Sequence, residues 1–68
     1  MLVKLDTLKI DDWFFLYNYA NDKYYLFQVE NKIMDEYVVK RLGAQFFIML
    51  KADREVLKET SVSRCLYR

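Results

Sequence analysis

Apolar and polar residues alternate in short runs that are separated by polar breaks. The breaks at residues 21–23, at residues 32–36 and around Gly43 delimit strands at about 12–19 and 23–31, and a hairpin of about 36–42 with 45–51. Aromatic and β-branched residues dominate each segment, as is typical of strands. Asn, Asp and Gly accept the left-handed conformations that tight hairpin turns require. The pattern therefore predicts four strands joined by short turns.

The alternation within these segments predicts which side chains face the core. On the second strand one set is expected on the core face: Tyr25, Phe27 and Val29. On the fourth strand two sets occupy opposite faces: Phe46, Ile48 and Leu50 on one, and Phe47, Met49 and Lys51 on the other. Both faces are apolar over part of the first and fourth strands. This favours a tightly curled small barrel, or a sheet with one face buried in a partner.

A helical interpretation competes with the strands. Two sets of residues fit a helical stripe: Trp13, Leu16, Tyr17 and Ala20, and Leu26, Val29, Ile33 and Tyr37. Short apolar runs are ambiguous by periodicity alone. The adjacent aromatic doublets and the turn at residues 21–22 favour strands.

The pattern changes after Leu50. Asp53 is placed to cap a short helix in which Val56, Leu57 and Thr60 lie on one side. Residues 61–67 alternate again and predict a closing strand, with three side chains on one face: Val62, Arg64 and Leu66.

The segment 8–14, which reads Leu-Lys-Ile-Asp-Asp-Trp-Phe, resembles the opening of small SH3-like barrels. In those domains a hydrophobic residue, a short step and Gly-Asp precede the first core strand, and Asp11 stands where the glycine would be. The resemblance covers mainly residues 8–19 and the strand count. It implies a mainly β fold, a small five-stranded SH3-like barrel with a short helical turn before the last strand. That architecture serves many functions, so it assigns none.

Composition indicates a small single domain, residues 1–68, in which twelve side chains are aromatic. The net charge is +1, with −3 in residues 1–36 and +4 in residues 37–68. Near-neutrality argues neither for nor against a polyanionic partner. Cys65 is alone and no apolar run approaches the roughly 20 residues of a membrane span. We therefore expect a soluble cytoplasmic protein with no membrane partner.

Catalytic chemistry has little support in this sequence. There is no histidine to act as a general base near neutral pH or to activate Cys65. The acidic doublets at residues 11–12 and 35–36 are interpreted as solvated turns, because neighbours on a strand point to opposite faces. One glycine cannot build a phosphate-binding loop. We expect no enzyme activity, metal, cofactor or small-molecule substrate.

The remaining hypothesis is a binding module. Tyr, Trp, Phe, Met and Arg are enriched in interface cores, so we expect recognition of another protein through an aromatic-rich face. The chain would be an accessory or inhibitory protein, as viral and mobile-element proteins often are, or a homodimer. The candidate surface consists of Tyr17, Tyr19, Tyr24, Met34, Tyr37, Lys40, Arg41 and Arg64. The alternative is single-stranded nucleic-acid binding by the same tyrosines, with phosphate contacts from Lys40, Arg41, Arg64 and Arg68.

Overall fold

The computed structural model describes residues 2–59, which form one antiparallel sheet of six strands. The strands are β1 (Leu2–Lys4), β2 (Trp13–Asn18), β3 (Lys23–Ile33), β4 (Glu36–Arg41), β5 (Phe47–Lys51) and β6 (Glu55–Lys58), and a 3-10 helix spans Leu5–Thr7. Their order across the sheet is β1-β6-β2-β3-β4-β5. Within the described residues β1 and β5 remain edges, so the sheet is not closed into a barrel.

The prediction of a mainly β fold is confirmed, and the helical interpretation of residues 13–37 is wrong. Strands β2 to β5 match the four predicted segments, and each pairs with the next through a short turn. The predicted core face of β3 is also confirmed. Phe27 and Val29 are buried, and Tyr25 packs against the same core.

The helix predicted after Asp53 is wrong. Residues Glu55–Lys58 form β6, which pairs with β1 on one side and with β2 on the other. Val56 and Leu57 are both buried, but in separate clusters on opposite faces of the sheet. Two adjacent apolar residues can lie on one side of a helix, or on the two faces of a strand. The neighbouring strand β2 is apolar on both faces, so a strand at this position buries both residues. Strand β1 was not predicted, and the closing strand predicted over residues 61–67 lies outside the described residues.

The sheet buries side chains on both of its faces. The larger cluster lies on what we call the inner face and contains Leu5, Leu8, Phe14, Phe27, Val29, Tyr37, Val39 and Val56. The smaller cluster lies on the outer face and contains Phe15, Leu26 and Leu57, with Trp13 and Tyr24 packed against it. Phe14 and Phe15 are therefore both buried although they point in opposite directions, which explains the two apolar faces of this strand.

The 3-10 helix is held against the turn between β5 and β6. The backbone N–H of Leu5 donates to the carbonyl of Arg54 at 2.8 Å, and that of Asp6 donates to the carbonyl of Ala52 at 3.0 Å. Leu5 is fully buried in the larger cluster. These bonds fix the start of β6 next to the N-terminal segment.

Left-handed backbone conformations occur where the chain turns. Gly43 has a φ of 83° in the loop between β4 and β5, as its position predicts, and Asp22 has a φ of 57° in the turn between β2 and β3. Asp11 has a φ of 77°. Asp11 stands where the SH3-like pattern has glycine, and its backbone adopts the left-handed conformation that glycine favours.

Met34 occupies the first position of the two-residue turn between β3 and β4 with a φ of 58°. Such turns favour glycine there, because a side chain strains the left-handed backbone. Met34 is 88% exposed and contributes no buried contacts. We expect Met34→Gly to raise the free energy of unfolding by about 0.5–1 kcal/mol. Urea denaturation measures this, with Met34→Ala as the control, which keeps the strain; equal midpoints for both variants would contradict the prediction.

Candidate binding site

The two turns that carry exposed aromatic residues lie at one end of the sheet. Strands β2 to β5 run alternately up and down, so the turn between β2 and β3 and the loop between β4 and β5 share an end. Tyr19 follows β2 and Phe46 precedes β5, and they are 84% and 54% exposed. Met34 lies in the turn at the opposite end. The candidate residues therefore do not all form one surface.

Three tyrosines form a row at this end, which we call the tyrosine row: Tyr17, Tyr19 and Tyr24. The ring of Tyr17 lies 4.7 Å from that of Tyr19 and 5.2 Å from that of Tyr24, both in edge-to-face geometry. Tyr17 and Tyr24 are also direct partners across the pair of strands β2 and β3. Edge-to-face contacts of this kind hold the rings in a defined arrangement, so the row presents a shaped surface to solvent.

Arg41 stacks on Tyr25 on the inner face. The guanidinium carbon lies 4.7 Å from the ring centre, and the hydroxyl of Tyr25 accepts a hydrogen bond from the side-chain amide of Asn21. Within residues 2–59 the ion pair found joins Lys51 to Glu36, and no carboxylate lies within ion-pair distance of Arg41. A stacked guanidinium keeps its in-plane N–H donors available for a carboxylate.

An open cleft of about 460 Å³ lies on the inner face between the two turns, and we call it the inner cleft. Its lining residues are Leu16, Tyr17, Asn18, Tyr19, Ala20, Tyr25, Phe27, Arg41, Phe46 and Ile48. Arg41 is the charged member of this set. Among the described residues, the cleft therefore combines apolar and aromatic walls with the guanidinium group of Arg41.

A second cleft, the outer cleft, has a volume of about 420 Å³ and lies between β2 and β6. It shares three residues with the inner cleft, namely Leu16, Tyr17 and Tyr19. Tyr24 lines its wall on β3, and Arg54 and Glu55 supply one charge of each sign. The C-terminal half of β2 thus separates the two clefts.

Four of the predicted candidates lie at this end of the sheet: Tyr17, Tyr19, Tyr24 and Arg41. Tyr24 is on the outer face and Arg41 is in the inner cleft, so these two do not share a surface. Lys40 lies on the outer face, where its ammonium group is 5.9 Å from the ring centre of Phe47. Arg64 and Arg68 lie outside the described residues.

Tyr37 is not a surface residue. It is only 3% exposed and belongs to the larger core cluster, with the ammonium group of Lys32 at 5.5 Å from its ring centre. The expectation that it forms part of a binding face is wrong, because Tyr37 and Val39 share the inner face of β4 while Lys40 points outwards.

Two residues of the inner cleft were not among the candidates, Tyr25 and Phe46. Tyr25 was predicted to face the core, and it packs against the larger cluster. Phe46 was predicted only to share a face with Ile48 and Leu50, and it lines the inner cleft together with Ile48. Tyr25 and Phe46 are accessible because the sheet is open at this end. The sequence gives one indication that these residues lie near each other. If four consecutive strands are antiparallel, the turn between β2 and β3 and the loop between β4 and β5 must lie at the same end of the sheet.

The acidic doublets lie at turns and strand ends: Asp11 and Asp35 are in turns, Asp12 precedes β2, and Glu36 begins β4. A carboxylate oxygen of Asp12 accepts a hydrogen bond at 2.9 Å from the backbone N–H of Lys9. Among the described residues no group of three or more His, Cys, Asp or Glu side chains is placed to hold a metal ion. Nor does that part of the chain contain a helix of the length and apolarity needed to cross a membrane.

Comparisons with known proteins give no family for this chain. No family model matches it, and neither curated proteins nor solved structures gave a match. The functional argument therefore depends on the geometry of the site.

Proposed function

We propose that this chain is a non-catalytic binding module that recognises another protein inside the cell through the end of the sheet that carries the two clefts. The observation that supports this most strongly is the inner cleft, where the exposed aromatic residues Tyr19 and Phe46 line the same space as Arg41, which has no ion-pair partner among residues 2–59. Clusters of exposed apolar side chains are rare on monomeric proteins and mark interaction sites. Aromatic residues and arginine are also the side chains that contribute most to protein interfaces.

The charge of the described residues favours a protein over a nucleic acid as the partner. Residues 2–59 contain nine basic and ten acidic side chains, a net charge of −1. Proteins that bind nucleic acids usually carry a basic surplus, because phosphate contacts dominate their affinity. The tyrosine row and Arg41 support the alternative, single-stranded nucleic-acid binding by stacking.

We propose further that the sheet is a more open relative of the SH3-like barrel. Two observations support this. Asp11 adopts the left-handed conformation at the step where that pattern has glycine. The long strand β3 also carries a β-bulge between Val29 and Asn31, and bulges increase the bend of a sheet. The accessory and self-associating roles considered above are variants of the same protein-binding proposal.

Substitution of Tyr19 and Phe46 together tests the protein-binding proposal. The full chain and its Tyr19→Ser/Phe46→Ser variant are immobilised in equal amounts, and proteins retained from a lysate of the source cells are compared by quantitative mass spectrometry. We expect at least one protein to be retained by the parent and reduced about tenfold or more by the variant, since losing two anchors costs more than 1.4 kcal/mol. Both residues are exposed, so the fold should be preserved.

The matched control is Ile10→Ser/Leu42→Ser, which removes two apolar side chains that are about as exposed as Phe46 and do not line the inner cleft. It should retain the same proteins as the parent. Equal loss with both double variants would contradict the proposal. Fluorescence anisotropy of labelled single-stranded DNA and RNA at low and high salt tests the alternative, since binding that weakens steeply with salt would favour nucleic acid.

A further inference from the structure

Among the described residues, strand β2 has a partner along its whole length on one side, but on the other side only at its start. All six residues Trp13–Asn18 pair with β3. Pairing with β6 involves only Phe14 and Phe15. Continuing that register would place Val56 opposite Leu16 and Glu55 opposite Tyr17, and these pairs do not form. The backbone N–H of Leu5 donates to the carbonyl of Arg54 at 2.8 Å, so the residue before β6 is bonded to the 3-10 helix.

The direction of the backbone groups identifies the residue at this open edge. The N–H of Glu59 donates to the carbonyl of Trp13 at 3.1 Å, so the peptide groups of Trp13 face β6. Backbone groups on a strand alternate in direction. Those of Phe15 and Tyr17 therefore face the same way, while those of Leu16 face β3. Because the pairing with β6 ends at Phe15, no strand among residues 2–59 pairs with Tyr17 on the side that its N–H and C=O face.

The two clefts lie on either side of this edge. Tyr17 lines both of them, the inner cleft on one face of the sheet and the outer cleft on the other. A strand added beside Tyr17 would place successive side chains alternately in the two clefts, because side chains alternate across a strand. Main-chain hydrogen bonds combined with pockets for alternate side chains are the features of recognition by strand addition.

The charges of the clefts define the chemistry of such a strand. Arg41 is the charged residue of the inner cleft, and the Arg54 and Glu55 charges of the outer cleft cancel. The side chains that enter the inner cleft would therefore include a carboxylate next to an apolar group. Those that enter the outer cleft would be apolar or aromatic.

We propose that an extended segment of a partner protein adds to β2 at Tyr17 as an antiparallel strand and places an acidic side chain on Arg41 in the inner cleft. The proposal depends on the proposed function and specifies its mode. The segment hydrogen-bonds the N–H and C=O of Tyr17, and its remaining side chains alternate between the two clefts. It contains no proline at the residue that pairs with Tyr17.

The test uses peptides selected from a phage-displayed library of random nine-residue sequences, with the full chain as the immobilised target. We expect the selected peptides to share an acidic residue that alternates with aromatic or aliphatic ones. A selection that yields no binder, or binders without an acidic residue, would overturn the proposal.

N-methylation of single peptide groups then tests for strand pairing in the best synthetic peptide. Methylation removes one backbone N–H, so affinity should fall about tenfold at the residues whose N–H faces β2 and change little at the residues between them. A period of two is the signature of an added strand. Equal losses at every residue, or no loss at any, would overturn the proposal.

Variants of the chain locate the binding edge. Tyr17→Pro removes the N–H that faces the partner, and Tyr17→Ala keeps it while removing the ring. We expect Tyr17→Pro to bind the peptide about tenfold more weakly than Tyr17→Ala. The proline variant loses the hydrogen bond from the N–H of residue 17, and it leaves the accepting carbonyl of the peptide unpaired. Arg41→Gln should weaken binding of the acidic peptide and leave unchanged the binding of a peptide with Gln in place of the acid.

The possible failures of the two proposals are distinguishable. If proteins are retained through Tyr19 and Phe46 but Tyr17→Pro binds like Tyr17→Ala, protein recognition stands and strand addition is overturned. If neither protein nor peptide depends on this end of the sheet, both are overturned. A concentration-dependent dimer in analytical ultracentrifugation that Tyr17→Pro abolishes would identify a second copy of this chain as the occupant, and would overturn the partner-segment proposal.

Discussion

Phe14→Ala is expected to remove about a third or more of the free energy of unfolding of this protein at 25 °C. Phe14 is fully buried, and its ring stacks on that of Phe27 with the centres 5.7 Å apart. It lies where the larger cluster meets β2, next to side chains from the 3-10 helix and from β6.

The magnitude follows from the small size of the domain. A chain of 68 residues has a free energy of unfolding of roughly 3–10 kcal/mol at typical values per residue. Replacing a buried Phe with Ala costs about 3–5 kcal/mol, since transfer and cavity terms add. Thermal unfolding followed by circular dichroism measures the effect. Phe47→Ala is the matched control, because this ring is 57% exposed on β5, and it should change stability by less than about 1 kcal/mol. A Phe14→Ala variant that melts with the parent would contradict this account of the core.

The strands from residue 13 to residue 51 were predictable because each is bounded by its own turn signal. Left-handed φ values at Asp22 and Gly43 occur where the sequence has Asn-Asp and the single glycine. The strand Glu55–Lys58 was not predictable in the same way. Val56 and Leu57 are adjacent and apolar, and only the two apolar faces of β2 determine that they are buried on opposite sides of a sheet.

The composition of the site was partly predictable, but its geometry was not. Tyr17, Tyr19 and Tyr24 are grouped by the turn between β2 and β3, a local feature that the sequence displays. Arg41 reaches the same end through the non-local pairing of β3 with β4. The clefts depend on where β6 stops pairing with β2. Next to that point the chain is hydrogen-bonded to the 3-10 helix, for which residues 5–7 give no sequence signal.

The second large effect is expected from proline at Leu16, in contrast to proline at Tyr17. The N–H of Leu16 faces β3, so Leu16→Pro removes a bond between two central strands and leaves a carbonyl of β3 unpaired. Half-buried Leu16 also packs against the larger cluster. The lost bond and the unpaired carbonyl together cost on the order of 2–4 kcal/mol, before any steric strain. In a domain of this size we expect Leu16→Pro to abolish cooperative unfolding.

Proline at Tyr17 should be tolerated, because edge positions whose N–H faces away from the sheet accept it. Leu16 is already extended, as a residue before proline must be. The cost should be close to that of Tyr17→Ala, since both lose the ring contacts with Tyr19 and Tyr24. Urea denaturation compares each proline variant with the alanine variant at the same position, so that the proline penalty is the loss of cooperative unfolding, or the drop in midpoint, relative to alanine. We expect Leu16→Ala, Tyr17→Ala and Tyr17→Pro to unfold cooperatively and Leu16→Pro to show no transition. Equal penalties at the two positions would show that Tyr17 is paired on both sides, and would remove the open edge on which strand addition depends.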